Sequence, residues 1–410
     1  MDSVAVTTRE REQSTLSADA LEGLRQRLHG PLLTPDRPGY EDARQVWNGM
    51  IDREPGLVAR CTGTADVIEA VRYARQRDLL VAVQGGGHNV AGTGTCDGGI
   101  LIDLSMMRGI RVDPENRTAR VQAGATWREL DHETQAFGLA TPGGIISTTG
   151  VAGLTLGGGI GWLRRKHGLT CDNLVSADVV TADGELLRAS EDRNPDLFWA
   201  LRGGGGNFGV VTSFEFRLHE VGPEVMFAVT MYPAARAREL LPVWRDFMDD
   251  VPEEVSGEAL FWTIPHVEAF PEEARGQEVF MVAALHCGDP EEGERTLRPL
   301  RQLADPVLDL SAVQPFEDVQ TAFDPFFPAG ERRYYWKSLR LDRLDEEVID
   351  AVVDHGTSRP SPDTVVPIWH HGGAMSRVEP GATAFAVTPR GAISFAIDLV
   401  RAMTPPLAAA

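Results

Sequence analysis

The chain has 410 residues and a formal net charge of −21, from 39 Lys and Arg against 60 Asp and Glu. That balance leaves no broad basic face, which argues against nucleic acid or an anionic membrane surface as partner and for a small neutral or weakly charged substrate. Apolar residues make up 42% and charged residues 24%, an ordinary globular composition, in a chain long enough for two or three domains.

The first fifteen or so residues are polar and are expected to be loose. A helix is predicted over Thr64 to Asp78, with Thr64 as N-cap, Asp66 in the first turn and Val67, Val71 and Ala74 on one face. LLVAVQ (79–84) reads as a buried strand ending in a glycine turn. ILIDLS (100–105) and TARVQA (118–123) are further strands, followed by a helix over 126–138. LVSADVVT (174–181) and ELLRAS (185–190) read as a hairpin, 194–202 as a short helix and 210–218 as a strand. Beyond Val221 the text changes to long strands at 226–232, 258–265, 278–287 and 334–341, with helices at 234–250 and 291–304 between them. The expected fold class is α+β, with two domains, the second built on an antiparallel sheet.

The four cysteines, Cys61, Cys96, Cys171 and Cys287, are too scattered for a disulfide framework or a metal cluster. No run approaches the roughly 18 apolar residues of a spanning helix, and the N-terminus lacks the apolar core of a secretory leader. The expected location is the cytoplasm.

Glycine carries the most information. Of 42 glycines, 25 fall between Gly85 and Gly209. This reads either as a loop-rich region or as backbone brought close to a ligand, since only glycine lets main-chain N–H groups approach a pyrophosphate or ring without a Cβ between. Gly204-Gly-Gly-Asn-Phe-Gly209 formally fits the dinucleotide fingerprint. It follows a helix and precedes a strand, the reverse of what that fingerprint requires, so a Rossmann site is rejected.

Four segments stand out in order: Val83-Gln-Gly-Gly-Gly-His88-Asn89; the glycine- and hydroxyl-rich run Gly143 to Gly161; Gly168-Leu-Thr-Cys171-Asp-Asn-Leu; and Gly203 to Thr212. Together, over residues 40 to 385, they resemble the berberine-bridge-enzyme-like oxidases of the vanillyl-alcohol-oxidase type, with its PCMH-type FAD-binding fold. The resemblance implies FAD attached at two points, through His88 to the flavin 8α-methyl carbon and through Cys171 to flavin C6. An imidazole and a thiolate are nucleophiles suited to an electron-poor ring. Taken alone, His88 reads as a turn histidine and Cys171 as an inert buried thiol.

The resemblance further implies that main-chain N–H groups of Gly85, Gly86, Gly87 and Asn89, and of the Thr148-Thr149-Gly150 turn with Gly153, hold the pyrophosphate. It assigns Gly209 to Val211 to the lining of the cofactor. Asp172 and Asn173 either fix the loop of Cys171 or serve a plain turn. Cys96 is read as structural, Cys61 and Cys287 as core.

The implied domains are a lead-in at 1–39, an FAD-binding domain at 40–220, a substrate domain at 221–375, and a remnant at 376–410 returning to the FAD-binding domain. The implied activity is oxidation of an alcohol, sugar or secondary metabolite, with molecular oxygen as second substrate and hydrogen peroxide as product. A dehydrogenase on the same fold, a flavin-binding remnant without turnover and a flavin-free carbohydrate-binding module are the rivals. Many relatives take the substrate proton with a tyrosine in a C-terminal N-Y-x-N segment. None is present here, and residues 386–410 do not match, which implies a truncated or altered end. Tyr334, Tyr335 and Lys337 remain as candidate catalytic residues, each tyrosine reading more readily as core or substrate wall. Alternation puts Tyr334 and Trp336 on one face and Tyr335 and Lys337 on the other, with the inward face undecided. His370 and His371 are expected near the pocket mouth or on the surface.

Overall fold

Alternation along the strand Glu224–Pro233 sets the layering of the molecule. In the computed structural model, which describes residues 3–385 and the strand at 395–403, Met226, Ala228 and Tyr232 point to one side of that strand. Phe227, Val229 and Met231 point to the other, as a pleat requires. The strand belongs to an antiparallel sheet in the order Leu308–Asp309, Glu224–Pro233, Glu278–His286, Val255–Thr263, Val366–His370, Phe395–Met403, Arg333–Leu341. Ala312–Pro315 also pairs with Glu224–Pro233.

Helices Ala237–Asp250, Pro290–Leu297 and Glu346–Thr357 bury Leu240, Trp244, Leu297 and Val353 against the first side of this sheet. Its second side packs on the N-terminal unit through Trp47, Ala140, Trp162 and Leu163. Each such large apolar side chain contributes about 1.5–3 kcal/mol on burial, so both sides of the sheet are committed.

The N-terminal unit holds two smaller sheets. In one, Leu57–Arg60, Ile100–Asp103 and Val81–Gln84 are parallel, joined by the helix Thr64–Gln76, and Leu32–Leu33 lies antiparallel on the far edge. In the other, Leu186–Ser190, Leu174–Val180, Val210–Arg217, Thr118–Gln122 and Ile110–Asp113 form an antiparallel sheet. One core fills the space between the two, with Trp127, Phe214 and Phe216 at its centre. The α+β class and the antiparallel second unit are as expected.

Several local expectations need correction. The N-terminus is not loose: Ser3–Thr7 and Gln13–Ser17 form a hairpin whose Val4, Val6 and Leu16 are buried, and the Thr7 amide donates to the Gly98 carbonyl. Gly63, not Thr64, caps the helix that follows. The strand before His88 is a sheet edge rather than a buried strand, and Val81 and Val83 are exposed. Trp199 donates to the Gly381 carbonyl and Arg202 to that of Ala382, whereas Phe395–Met403 joins the large sheet of the second unit. Residues 386–394 and 404–410 lie outside the described residues.

Candidate functional site

The edge strand Val81–Gln84 runs into Gly85-Gly86-Gly87 and ends at His88, which is half-buried. The loop needs glycine. A Cβ on Gly86 would stand 2.4 Å from the amide nitrogen of Gly150, and one on Gly85 2.9 Å from the Ala123 carbonyl oxygen. The glycine turn is thereby laid against the turn 146–150. Both ring nitrogens of His88 meet that turn, Nε2 at 3.1 Å from the Thr148 hydroxyl and Nδ1 at 3.4 Å from that of Thr149. Burial pushes the imidazole down to about 4, with Asp324 pulling weakly the other way, so the ring is neutral at pH 7. Asn89, exposed, closes the next turn by accepting from the Thr93 amide.

The turn opposite His88 hangs on the start of the helix Trp127–Gln135. Trp127 and Arg128 donate their amides to the carbonyls of Thr149 and Ser147, and Val151 donates to Ala125. A short helix, Val151–Leu156, begins at Gly150 and spans about 9 Å at about 1.5 Å per residue. Gly153 within it is exposed and meets nothing within 4 Å of an added Cβ. A glycine in a helix costs about 1 kcal/mol against alanine, and here no protein atom demands it.

The helix leads to Cys171. Thr170 and Cys171 donate their amides to the carbonyls of Gly159 and Gly158. Asn173 ties the turn down: its amide donates to the carbonyls of His167 and Leu169, and its oxygen accepts from His219 Nε2 at 2.6 Å. Asp172 accepts from the Leu169 amide. Both residues fix the loop of Cys171, one of the two roles the sequence left open, and the Asn173 amide is fully engaged within the protein. Cys171 is wholly buried among Leu169, Ile160, Met375 and Phe385, and the Phe385 ring lies where a Cβ on Gly158 would come within 2.5 Å. The two candidate attachment residues therefore differ: the His88 imidazole is half-buried and Cys171 is wholly buried. Gly209 immediately precedes, and Val211 lies on, the strand Val210–Arg217 of the antiparallel sheet. Gly209 has φ 141° and touches Val180, and the Val211 side chain is in the core, so only backbone is left to face a cofactor there.

From the other side comes the strand Arg333–Leu341. Tyr334 is buried and stacks on Trp47, with ring centroids 3.9 Å apart, and Trp336 meets Trp47 edge-on at 6.2 Å. The Tyr334/Trp336 face is therefore the one turned to Trp47, with Tyr334 buried and Trp336 exposed. Burial raises the Tyr334 phenol to about 12, and its hydroxyl donates to the Pro328 carbonyl at 3.5 Å. Tyr335 is exposed on the opposite face, with the Lys337 ammonium 5.5 Å from its ring centroid, and the structure does not bring this pair to His88.

Sequence reasoning passed over Trp47, Asn48, Ser147 and Asp324. Trp47 stacks on His88 at 5.1 Å. Asn48 donates to the carbonyls of Val90 and Tyr334 and accepts from the Tyr334 amide. It also passed over Arg164 and Arg165. Arg164 donates to the carbonyls of Gly161, Gly257 and His370. Arg165 reaches His370 Nδ1 at 2.6 Å and the carbonyls of Met248 and Val251. His370 and His371 are buried in this seam, not at a surface or mouth. Cys61, Cys96 and Cys287 are buried free thiols.

The site fits FAD at the His88 end. A neutral, half-buried imidazole, a glycine-on-glycine loop contact, the exposed Thr148 hydroxyl and the open Gly153 face form a strip of backbone and hydroxyl donors of the kind that holds a pyrophosphate without arginine.

Residues 55–190 match the FAD binding domain family. An FAD-linked oxidoreductase of Dictyostelium discoideum is 33% identical over 357 residues, covering 85% of this chain and 75% of that one. (R)-6-hydroxynicotine oxidase of Paenarthrobacter nicotinovorans is 37% identical over 292 residues, 71% of this chain and 62% of the oxidase. Xylooligosaccharide oxidase of Thermothelomyces thermophilus is 30% identical over 387 residues, 87% of this chain and 73% of that one. The solved structure of a berberine bridge enzyme variant with (S)-reticuline superposes with a TM-score of 0.80 at 21% identity, covering 95% of this chain and 80% of that one, and shares the fold. The chain belongs to the FAD-linked oxidoreductases. Among the described residues no helix is long and apolar enough to cross a membrane.

Proposed function

We propose that the protein is an FAD-dependent oxidase that carries its flavin covalently on His88 and oxidises a CH–OH group of a small alcohol, sugar or secondary metabolite. Molecular oxygen is the second substrate and hydrogen peroxide the product. The observation that carries this reading is the neutral His88 imidazole, half-buried and gripped by Thr148, Thr149 and Trp47. Flavin supplies the acceptance of a hydride and its transfer to oxygen. The chain supplies the rest. Backbone amides of Gly85 to Asn89 and the exposed face of Val151–Leu156 hold the pyrophosphate. Trp47, backed by Tyr334, covers one face of the imidazole.

The second attachment, through Cys171, belongs to the same reading. It requires the residues packed around Cys171 to give way, because the sulfur is fully covered. The names of two similar proteins, a hydroxynicotine oxidase and a xylooligosaccharide oxidase, support a small organic or sugar substrate. Binding at acid precipitation tests the reading. Yellow colour stays with the pellet of the native protein and of Cys171→Ala, and leaves the pellet of the double variant with His88→Ala. A colourless pellet from Cys171→Ala refutes attachment at His88. Peroxide release across a panel of alcohols and oligosaccharides tests the oxidase activity, and reduction of an artificial acceptor without peroxide identifies a dehydrogenase.

A further inference from the structure

The grip on His88 comes from outside its own loop. Trp47 lies flat against the imidazole, 18° from parallel, and is itself fixed on every side. Its amide donates to the Gly87 carbonyl, next to His88, and its indole N–H donates to the Phe327 carbonyl at 2.9 Å. Its carbonyl accepts from the Gly330 amide, and its other neighbour is the Tyr334 ring, 15° from parallel. Phe327, Gly330 and Tyr334 all belong to the unit built on the large sheet. Three rings, His88, Trp47 and Tyr334, thus form one stack running from the glycine loop into the second unit.

A ring held at one edge by two hydroxyls retains rotation about its own bonds, and a stacked indole removes it. Attachment demands such control. For the bond to form, His88 gives up its ring N–H proton and joins the 8α carbon, which gives up one proton. The two electrons of the broken C–H bond stay on the flavin, and molecular oxygen takes them away as hydrogen peroxide. The nitrogen must meet that carbon along one line, and alignment errors of about 1 Å cost up to roughly a hundredfold in rate.

We infer that Trp47 is a positioning residue for covalent flavin attachment, which fixes the plane of the His88 imidazole and takes its own orientation from the second unit. The inference rests on the reading that His88 carries the flavin. It adds a residue outside the glycine loop and makes attachment depend on docking of the large sheet.

The test uses the whole chain in a Cys171→Ala background, expressed with FAD supply, so that only the histidine bond is counted. Flavin retained after gel filtration is compared with flavin retained after acid precipitation. Trp47→Ala is expected to lower the acid-stable fraction about tenfold or more while leaving flavin bound before denaturation. Trp47→Phe keeps a stacking ring, loses only the N–H to Phe327, and is expected to recover most of the attachment. A loss of packing alone would lower both flavin pools together and would not be rescued by the smaller ring. Equal acid-stable flavin in Trp47→Ala and its parent overturns the inference, as does a phenylalanine variant no better than alanine. If the alanine chain does not fold, the slowed rate of attachment in the phenylalanine variant is read instead, and an unchanged rate overturns it. If the Cys171→Ala parent itself retains no acid-stable flavin, it is the underlying reading of His88 that fails.

Discussion

Asp324, from the unit built on the large sheet, accepts two hydrogen bonds from Ser147 of the N-terminal unit: the amide at 2.8 Å and the hydroxyl at 2.5 Å. Arg128 donates to the same carboxylate at 2.8 Å. Ser147 begins the turn whose next two hydroxyls hold His88. Removing the carboxylate in Asp324→Ala strands the Ser147 amide, and a donor left unmet in a buried place costs about 1–3 kcal/mol. Urea unfolding is expected to show that loss, and the acid-stable flavin fraction is expected to fall with it. Asp324→Asn keeps one acceptor and is expected to lie between. Unchanged stability and attachment in the alanine variant would separate this carboxylate from the histidine clamp.

Arg164 is the second tie between the units. Its guanidinium is fully buried and donates to three carbonyls, one in its own segment and two on the large sheet side. Arg164→Met removes the charge but leaves those carbonyls without donors. The expected loss is about 2–4 kcal/mol, read as a lower urea midpoint with an unchanged slope. Arg164→Lys keeps the charge but not the fork of donors, and is expected to recover less than half.

The large sheet was legible because its strands are long and alternate strongly: 226–232 and 334–341 fall within observed strands, and 258–265 and 278–287 overrun theirs by only one or two residues. The hairpin of residues 3–17 was not, because Val4, Val6 and Leu16 are isolated apolar positions in polar text and gain their burial only from distant partners. His88, Cys171 and the glycine runs could be picked out because rare residue types sit in local clusters. Trp47 and Asn48 could not. The Asn48 amide meets the Tyr334 carbonyl across 286 residues, and no local period encodes such a contact. Alternation paired Tyr334 with Trp336 correctly, and only the structure shows that this face turns to Trp47.

Acid should destabilise the protein well before its carboxylates titrate. Burial lowers His88, His219 and His370 to about 4 and His167 to about 3, and lowers His286 and His371 as well. Between those values and about 6.5 the unfolded chain binds protons that the folded chain refuses. Stability is therefore complete above 6.5 and falls as pH drops through that window. Asp131, pushed up to about 7 by burial, works in the opposite direction, as one group against six. The thermal midpoint is expected to fall by several degrees from pH 7.5 to 5, at roughly 1 °C per kcal/mol for a chain of this length. His219→Gln keeps a donor for Asn173 but does not titrate, and is expected to flatten the slope. A midpoint independent of pH over this range would show these histidines to be solvated.

Two glycines near the candidate site should respond to alanine in opposite ways. At Gly86 an added Cβ meets the Gly150 backbone at 2.4 and 2.5 Å, which neither chain can yield without parting the His88 loop from the Thr148–Thr149 turn. Gly86→Ala is therefore expected to lose both stability and flavin. At Gly153 the added Cβ meets no protein atom within 4 Å, and the residue lies within a helix. Without cofactor, Gly153→Ala should gain up to about 1 kcal/mol from helix propensity. If the exposed face of this helix receives the pyrophosphate, the same methyl group stands between donor and anion. The expected result is a more stable apoprotein that binds FAD at least about tenfold more weakly, since loss of close backbone approach removes whole hydrogen bonds to a charged group. Urea unfolding of the deflavinated protein and equilibrium titration with FAD measure the two effects separately. A Gly153→Ala protein that is stabilised and binds FAD as the parent does would move the pyrophosphate away from this helix.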